Sequence, residues 1–286
     1  MKIGIIGAGK VGCSLAQYFA VNNRIISGIY DTNEAVANTA ATLLKTVKFT
    51  TLDAIIIASD ILFLTVTDDA IETVWCQIAD QDLTGKIICH CSGALSSAVF
   101  TDIEIKGAFG YSVHPVMTIN HYSAVAELKK APFTIEGSAT KMAVITDLFT
   151  SAGNSVQILD AAQKIRYHAA AVFASNFMVG LAQISMDLLA ECGFNEEKQQ
   201  LFLPLMQASV ENIVKHGVVD ALTGPLQRGD EITLRKHLSD LTGDEHELYT
   251  LLSKKIITVA KQKNSQQNYN EIENIFTKNS DYENEK

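Results

Sequence analysis

The sequence predicts an α/β fold, a doubly wound parallel Rossmann sheet followed by an all-helical C-terminal domain. Three observations support it: an N-terminal apolar run that ends in a glycine-rich loop, a regular alternation of strand-like and helix-like segments, and the loss of strand signals after residue 160. Such alternation is typical of parallel sheets with crossover helices. We therefore expect a dinucleotide-binding Rossmann domain over residues 1–160, a helical substrate and dimerisation domain over 161–263, and a disordered tail over 264–286.

The first twelve residues predict a strand, a tight turn and the start of a helix. An isoleucine-rich run leads into Gly7, Gly9 and Gly12, which have the spacing G-x-G-x-x-G. The first glycine of this pattern permits the turn, the second lets the backbone approach a pyrophosphate, and the third lets the helix pack on the strand. We predict cofactor contacts along this loop, at Gly7, Gly9, Lys10, Val11 and Gly12.

The acid that ends the second strand bears on the choice of cofactor. The apolar run Ile25–Tyr30 ends at Asp31, nineteen residues after Gly12, where Rossmann domains place an acid on the adenosine ribose. A carboxylate there accepts a hydrogen bond from a ribose hydroxyl and repels a 2′-phosphate, and no Lys or Arg lies between residues 25 and 44 to offset it. We predict cofactor contacts at Asp31 and Thr32, and NAD is favoured over NADP, which stays open.

Two later strands end in loops that we expect to line the nicotinamide half of the cofactor. The run at 61–66 is apolar, as in a strand that is buried on both faces of a parallel sheet, and a further strand is predicted over 86–91. Ligands of such sheets lie outside the carboxyl ends of the strands. The predicted contacts are therefore Val66, Thr67, Ser92 and Gly93, with ordinary helix capping as the alternative role. Asp69 is the predicted N-cap of a helix over 70–78.

Residues 161–192 contain no proline and a single glycine, so they predict one helix of about thirty residues. Apolar side chains occupy most of its circumference, and such a helix must be buried on nearly all sides. A domain of about a hundred residues offers one subunit little material to cover it. We therefore expect a homodimer.

Three polar clusters interrupt the apolar sequence and are candidate sites. Ser112 and His114 end a strand, where a histidine can carry the proton that accompanies hydride transfer or can simply cap the backbone. On the long helix, Lys164, His168 and Asn176 have spacings that let them bracket a small substrate; structural hydrogen bonding is the alternative. Arg228 lies on a glycine-bounded loop and could hold a substrate carboxylate, or be a plain surface arginine.

Composition narrows the class of protein. Hydrophobic residues make up 47% of the chain, charged residues 19%, and the net charge is −9. A negative surface does not favour nucleic acid or anionic membrane, and no apolar run approaches the roughly 20 residues of a membrane span. We expect a small anionic substrate as the ligand besides the cofactor.

The cysteines predict a reduced, cytoplasmic protein without a metal. They are five in number, widely scattered, and form no C-x-x-C motif. Cys89, His90 and Cys91 alternate across a strand, so their side chains cannot converge on one ion.

Taken together, these motifs resemble a family of Rossmann-like oxidoreductases whose helical C-terminal domain is similar to that of 6-phosphogluconate dehydrogenase. The resemblance covers residues 1 to about 262 and rests on the glycine loop, on Cys91 to Leu95, on Ser112 to Pro115, on Tyr167 to Ala170 with Asn176, and on Thr223 to Asp230. It implies an NAD(P)-dependent oxidoreductase, and some members resemble an alternative type of ketopantoate reductase.

The resemblance also implies roles for single residues. In the better-known ketopantoate reductases a catalytic lysine is followed eight residues later by a substrate-binding asparagine, and here His168 and Asn176 have that spacing. Lys164, one turn earlier, is then an alternative source of the ammonium. The His-Pro pair at His114 is similar to that of prephenate dehydrogenases, in which the histidine contacts the substrate hydroxyl. Relatives often carry Ser-Arg where this chain has Asp31-Thr32, which again favours NAD here.

These observations lead to the hypothesis of an enzyme that reduces a small 2-keto acid with NAD(P)H, with ketopantoate as the leading substrate. Arg228 and Asn176 would orient the anion, and His168 or His114 would protonate the alkoxide. Two alternatives stay open: a non-catalytic NAD(P)-binding redox sensor or partner protein, and a hydroxy-acid or prephenate-type dehydrogenase.

Overall fold

The computed structural model describes residues 1–195 and 200–277. The chain forms two compact units, Met1–Asn176 and Phe177–Lys286. The expected boundary at residue 160 therefore lies sixteen residues before the observed one. Lys164 shows why, because its side chain is buried and hydrogen-bonded to residues of the first unit.

The first unit contains a seven-stranded sheet in the order β2-β1-β3-β4-β5-β6-β7. Neighbouring strands are parallel except for β5 and β6, which are antiparallel because the chain returns between them without a full crossover helix. The α/β fold class is confirmed, with this one antiparallel pair. The strands are β1 Lys2–Ile6, β2 Ile25–Tyr30, β3 Ile61–Leu64, β4 Ile87–His90, β5 Phe109–Pro115, β6 Phe133–Gly137 and β7 Val156–Ile158.

Helices connect the strands on both faces of the sheet, and some differ from expectation. Residues 49–58 contain a helix that is capped by the Thr51 hydroxyl, which accepts the Ala54 N–H at 3.3 Å. The helix expected from residue 70 begins at Asp68 with Thr67 as N-cap, so Asp69 lies inside the first turn. The helices of this unit are α1 Lys10–Val21, α2 Glu34–Leu44, α3 Leu52–Ala58, α4 Asp68–Ile78, α5 Val125–Leu128, α6 Met142–Thr150 and α7 Lys164–Ala174.

The central strands carry the core. Every residue of β3 and β4 is buried. The apolar side chains of the sheet pack into two clusters, one around Tyr18, Phe19 and Phe63 and the other around Trp75 and Phe100. This double-sided burial explains their continuous apolar runs. A buried sheet of this kind holds its carboxyl-edge loops in fixed positions.

Residues 161–191 form an interrupted helix. A short 3-10 turn, Ala161–Gln163, leads into α7, and Ser175 breaks the helix before α8, Asn176–Glu191. The most apolar part of this segment is not buried within the described chain, whereas the sequence predicts burial on nearly all sides. By length and composition alone, the segment could cross a membrane. The broken backbone at Ser175 divides the single helix that the sequence predicts into two.

The second unit is helical, with a small core around Leu234, Ile257 and Tyr269. Its helices include α8, Leu203–Ala221, Pro225–Arg228, Glu231–Asp240, Gly243–Lys263 and Asn270–Thr277. The last of these corrects the disordered tail expected from residue 264, since Ile272, Ile275 and Phe276 are buried at helical spacing. The expected tail over 278–286 lies outside the described residues, as do residues 196–199.

All five cysteines lie in the described ranges and are free thiols. In those same ranges, no group of three or more His, Cys, Asp or Glu side chains could hold a metal ion.

Candidate functional site

The glycine loop has the geometry that a dinucleotide requires. Gly7 has a φ of +106°, and a Cβ there would lie 2.8 Å from the Thr65 carbonyl carbon. A Cβ on Gly12 would collide with the Gly7 carbonyl oxygen, whereas a Cβ on Gly9 would meet nothing within 4 Å. The loop is thus closed against the sheet at Gly7 and Gly12 and open above Gly9. Helix α1 has no side-chain cap at this end, so its N–H groups can bind a pyrophosphate.

Asp31 lies at the end of β2 and binds the glycine loop. One carboxylate oxygen accepts the Ala8 N–H at 2.7 Å and the other accepts the Asn33 N–H at 2.8 Å. Each oxygen retains a further lone pair, so both can still accept a ribose hydroxyl. The residues present fit a dinucleotide in the crevice between β1 and β3, where the strand order reverses.

Ser92 organises the loop that follows β4. Its hydroxyl donates to the Asp68 carboxylate at 2.6 Å and accepts the N–H groups of Ala94 and Leu95 at 3.1 and 2.9 Å. Its own N–H donates to His90 Nδ1 at 3.2 Å. These bonds fix the Ser92-Gly93 segment at the carboxyl edge of the sheet, next to the end of β5.

Lys164 lies buried behind this loop. Its side chain is 1% exposed, and Nζ donates to the Ser92 carbonyl oxygen at 3.0 Å and to Ser112 Oγ at 2.7 Å. The Ser112 hydroxyl in turn donates to the same Ser92 carbonyl at 3.1 Å. Lys164 therefore joins β4, β5 and α7 in one polar cluster.

In front of this cluster, two histidines converge on Gly93. The ring centroids of His114 and His168 are 6.3 Å apart, and a Cβ on Gly93 would lie 2.5 Å from His168 Cδ2 and 3.0 Å from His114 Nε2. The Tyr167 hydroxyl hydrogen-bonds His114 Nδ1 at 2.7 Å. His114, Tyr167 and His168 are partly exposed, so they are the members of the site that a ligand can reach.

Burial and the Lys164 charge set the protonation of this site. Desolvation, together with smaller contributions from the charges of Lys164 and His168, lowers the pKa of His114 to about 4. Desolvation also lowers the pKa of His90 to about 4. The Lys164 pKa lies below its ordinary value because burial disfavours the ammonium, against the attraction of Glu136 and Asp68. At neutral pH the His114 ring is therefore neutral.

The structure brings together Ser92, Gly93, Ser112, His114, Lys164 and His168 from the predicted set. Val66 and Thr67 lie between β3 and α4, and Lys10 and Val11 open α1, at the same edge of the sheet. Asn176 ends the first unit, and its side-chain oxygen accepts the Ser175 hydroxyl at 3.0 Å. Arg228 belongs to the second unit, where it ends the helix Pro225–Arg228 and is exposed.

Sequence reasoning missed four polar residues of this site. Tyr167 binds His114, Asp68 binds Ser92, and His90 holds the loop by accepting the Ser92 N–H. Glu136 accepts the N–H and hydroxyl of Ser97, both at 2.7 Å. Asp68 and His90 lie at the carboxyl ends of strands, where ligands of parallel sheets bind, so their positions could have identified them. The partners of Tyr167 and Glu136 are distant in sequence, so their roles could not be predicted from local patterns.

Two family models match the chain. A Rossmann-like domain covers residues 1–115, and a domain of unknown function, DUF2520, covers residues 131–256. A search of curated proteins finds no significant match.

Solved structures share the fold over nearly the whole chain. Protein TM1727 from Thermotoga maritima is 24% identical, with a TM-score of 0.74 over 91% of this chain and 99% of that one. Protein BF3122 from Bacteroides fragilis is also 24% identical, with a TM-score of 0.68 over 90% and 98% of the two chains. A reductive aminase from Aspergillus terreus, in complex with NADPH and ethyl levulinate, is 17% identical, with a TM-score of 0.64 over 93% and 99%. The chain therefore carries a Rossmann-like domain followed by a match to a domain of unknown function, DUF2520.

Proposed function

We propose that this chain is an NAD(P)-dependent oxidoreductase that reduces the carbonyl group of a small 2-keto acid, with ketopantoate as the leading substrate. The glycine loop and Asp31 fit the cofactor. The solved neighbours include the reductive aminase bound to NADPH, an imine reductase from Myxococcus stipitatus in complex with NADP+, and its V8 variant in complex with NAD+. These neighbours support the general class; the keto acid rests on the residues of the site.

The observation that carries the proposal is the histidine pair at Gly93 in front of the buried Lys164. Both histidines lie at the carboxyl edge of the sheet, on the side where Rossmann domains present the nicotinamide. The buried Lys164 side chain behind them donates to the Ser92 carbonyl and to Ser112 Oγ, and so holds the loop that the histidines contact. A purely structural cluster would not need two partly exposed imidazoles packed against a glycine.

A nicotinamide cofactor bound there would supply the hydride. In the reaction, the hydride forms a C–H bond at C2 of the keto acid, the C=O π bond breaks, and the oxygen takes a proton to give the 2-hydroxy acid and NAD(P)+. The protein must orient the carbonyl and deliver that proton. Within the first unit, Asn176 remains the proposed ligand of the carboxylate.

His168 is the proposed proton donor. With a pKa of about 4, His114 is protonated in only about one molecule in a thousand at pH 7, which makes it a poor acid. Through Nε2, His114 can instead donate a hydrogen bond to the substrate oxygen as a neutral imidazole, if Tyr167 donates to Nδ1. Lys164 is then a positioning residue, because it holds the Ser92 loop through hydrogen bonds and helps to lower the pKa of His114.

Turnover with a panel of carbonyl compounds tests this function. Purified full-length protein is assayed for NADH and NADPH oxidation with ketopantoate, other small 2-keto acids, and cyclohexanone with allyl amine, the pair bound in an Aspergillus terreus neighbour. We expect oxidation with at least one 2-keto acid, and a loss of about 100-fold or more in kcat for His168→Asn. Cofactor binding without any turnover would support a redox sensor instead, and turnover only with the ketone and amine would assign imine reduction.

A further inference from the structure

A small polar pocket lies beyond the carboxyl end of β2. Its volume is about 240 Å³, and Asp31, Thr32, Glu34 and Lys48 contribute polar groups to its lining. Among the described residues that line it, Lys48 is the only cation. The pocket adjoins the acid that Rossmann domains use to bind the adenosine ribose, so it lies where a 2′-substituent of that ribose would point.

The backbone holds Lys48 at this position. Residues 47–49 run parallel to β2, with the Ile29 N–H donating to the Val47 carbonyl and the Phe49 N–H donating to the Ile29 carbonyl, each at 2.9 Å. Lys48 therefore lies beside the end of β2 as an extra edge residue of the sheet. The backbone at Lys48 is fixed in this way, so only its side chain has to be ordered when it binds a ligand.

The Lys48 ammonium already forms an ion pair with the Glu34 carboxylate. Lys48 Nζ lies 2.8 Å from Glu34 Oε1; the lysine side chain is 23% exposed and the glutamate side chain 79%. The hydrogen bond from Lys48 lowers the pKa of the Glu34 carboxyl. The cation is thus held inside the pocket, and the carboxylate reaches it from the solvent side, as an incoming phosphate would.

The charges of the pocket favour an unphosphorylated ribose. Asp31 and Glu34 contribute two negative charges and Lys48 one positive charge, so the lining carries a net charge of −1. A 2′-phosphate is close to a dianion at neutral pH, so it would be repelled by both carboxylates and would have to displace Glu34 before it could bind Lys48. A 2′-hydroxyl meets none of these obstacles, because the Asp31 oxygens can accept its hydrogen.

We propose that the Glu34 carboxylate pairs with the Lys48 ammonium at the position where a 2′-phosphate would otherwise bind. This ion pair makes the chain select NAD(H) over NADP(H). The inference rests on the proposed nicotinamide cofactor and assigns its selectivity to two named residues. Removing the Glu34 charge leaves Lys48 free to bind a phosphate, so the variant Glu34→Gln should accept the phosphorylated cofactor.

Calorimetric binding of two cofactor fragments tests the inference without turnover. The full-length protein is titrated with 5′-AMP and with adenosine 2′,5′-bisphosphate, which differ only in the 2′-phosphate. We expect the wild type to bind 5′-AMP more tightly. Glu34→Gln should shift the affinity ratio by about tenfold toward the bisphosphate, and Lys48→Met in the Glu34→Gln background should cancel that shift. Glu72→Gln, which removes an exposed carboxylate of α4 outside the pocket lining, should leave the ratio unchanged.

Two results would overturn the inference: equal or tighter binding of the bisphosphate by the wild type, or an unchanged ratio in Glu34→Gln. Absence of binding for both fragments would overturn it together with the dinucleotide site. Selective binding of 5′-AMP, with a ratio that shifts in Glu34→Gln, supports the inference even if no substrate is ever reduced. The experiment therefore distinguishes a failure of the proposed selectivity from a failure of the proposed reaction.

Discussion

At the scale of single residues, the buried Lys164 ammonium influences the chemistry of the imidazoles near it. Its charge adds to burial in lowering the pKa of His114 and of His90. The same ammonium hydrogen-bonds the Ser92 carbonyl and Ser112 Oγ. One side chain therefore couples the shape of the loop to the protonation of the site.

We predict that Lys164→Met raises the pKa of His114 above its value of about 4, because the nearby positive charge is lost while the ring stays buried. Histidine Cε1 chemical shifts measured against pH report this pKa directly. Loss of two hydrogen bonds should also lower the free energy of unfolding by about 1–3 kcal/mol. Arg166→Met, at an exposed position of α7, is the control. An unchanged His114 titration in Lys164→Met would contradict the electrostatic assignment.

The free energy of unfolding should fall as the pH falls from about 6.5 to about 4. His90 and His114 have folded-state pKa values of about 4, against 6.5 when unfolded, so in this window the unfolded chain binds protons that the folded chain does not. Urea denaturation at several pH values measures the slope. His90→Asn should flatten it, whereas His216→Asn, at an exposed position, should not. Equal slopes in the wild type and His90→Asn would show that His90 does not titrate in this way.

At the scale of elements, the loop after β4 depends on a glycine for space. The Gly93 backbone needs no unusual φ, but an added Cβ would meet both His168 and His114. We predict that Gly93→Ala leaves the fold intact and lowers kcat by about 10- to 100-fold by displacing the histidines. Circular dichroism and steady-state kinetics measure the two effects.

Gly180→Ala is the matched control, because a Cβ at Gly180 would meet nothing within 4 Å. Alanine within a helix should raise the free energy of unfolding by about 0.5–1 kcal/mol and leave kcat unchanged. If both alanine variants keep wild-type kcat, the packing of Gly93 against the histidines has no catalytic role.

The sequence predicted elements best where one periodic signal dominates. Strands β3 and β4 could be predicted because burial on both faces of the sheet requires a run of apolar residues. The glycine loop could be predicted because its tight turn requires glycines at a fixed spacing. The break at Ser175 was missed because serine is acceptable in a helix by propensity. There its hydroxyl donates to the Ala171 carbonyl at 2.7 Å, a local bond of the kind that bends helices.

The site could be predicted in part for the same reason. Strand ends identified Ser92, Gly93 and His114, since ligands gather at the carboxyl edge of a parallel sheet. The spacing on α7 identified His168 and suggested Lys164. That Lys164 is buried, and that Tyr167 binds His114, depends on how α7 packs on the sheet, which no local pattern encodes.

At the scale of the whole molecule, the second unit exposes apolar side chains that a monomer would leave in water. On the helix Leu203–Ala221, Val210, Ile213 and Val214 have i, i+3, i+4 spacing and are 42%, 46% and 82% exposed. Contiguous exposed apolar surface is typical of subunit interfaces. We predict a homodimer in solution, measured by light scattering after size-exclusion chromatography, and a shift toward monomer in Val214→Glu but not in Lys215→Glu. A wild-type monomer at micromolar concentration would contradict this prediction.

The central claim is that this chain transfers hydride from a nicotinamide cofactor to the carbonyl carbon of a 2-keto acid. The most direct measurement is a single-turnover reaction with NADH or NADPH deuterated at nicotinamide C4, followed by mass spectrometry of the product. We predict one deuterium at C2 of a 2-hydroxy acid, with transfer slowed by about 100-fold or more in His168→Asn. Bound cofactor that delivers no deuterium to any member of the keto-acid panel would contradict the claim.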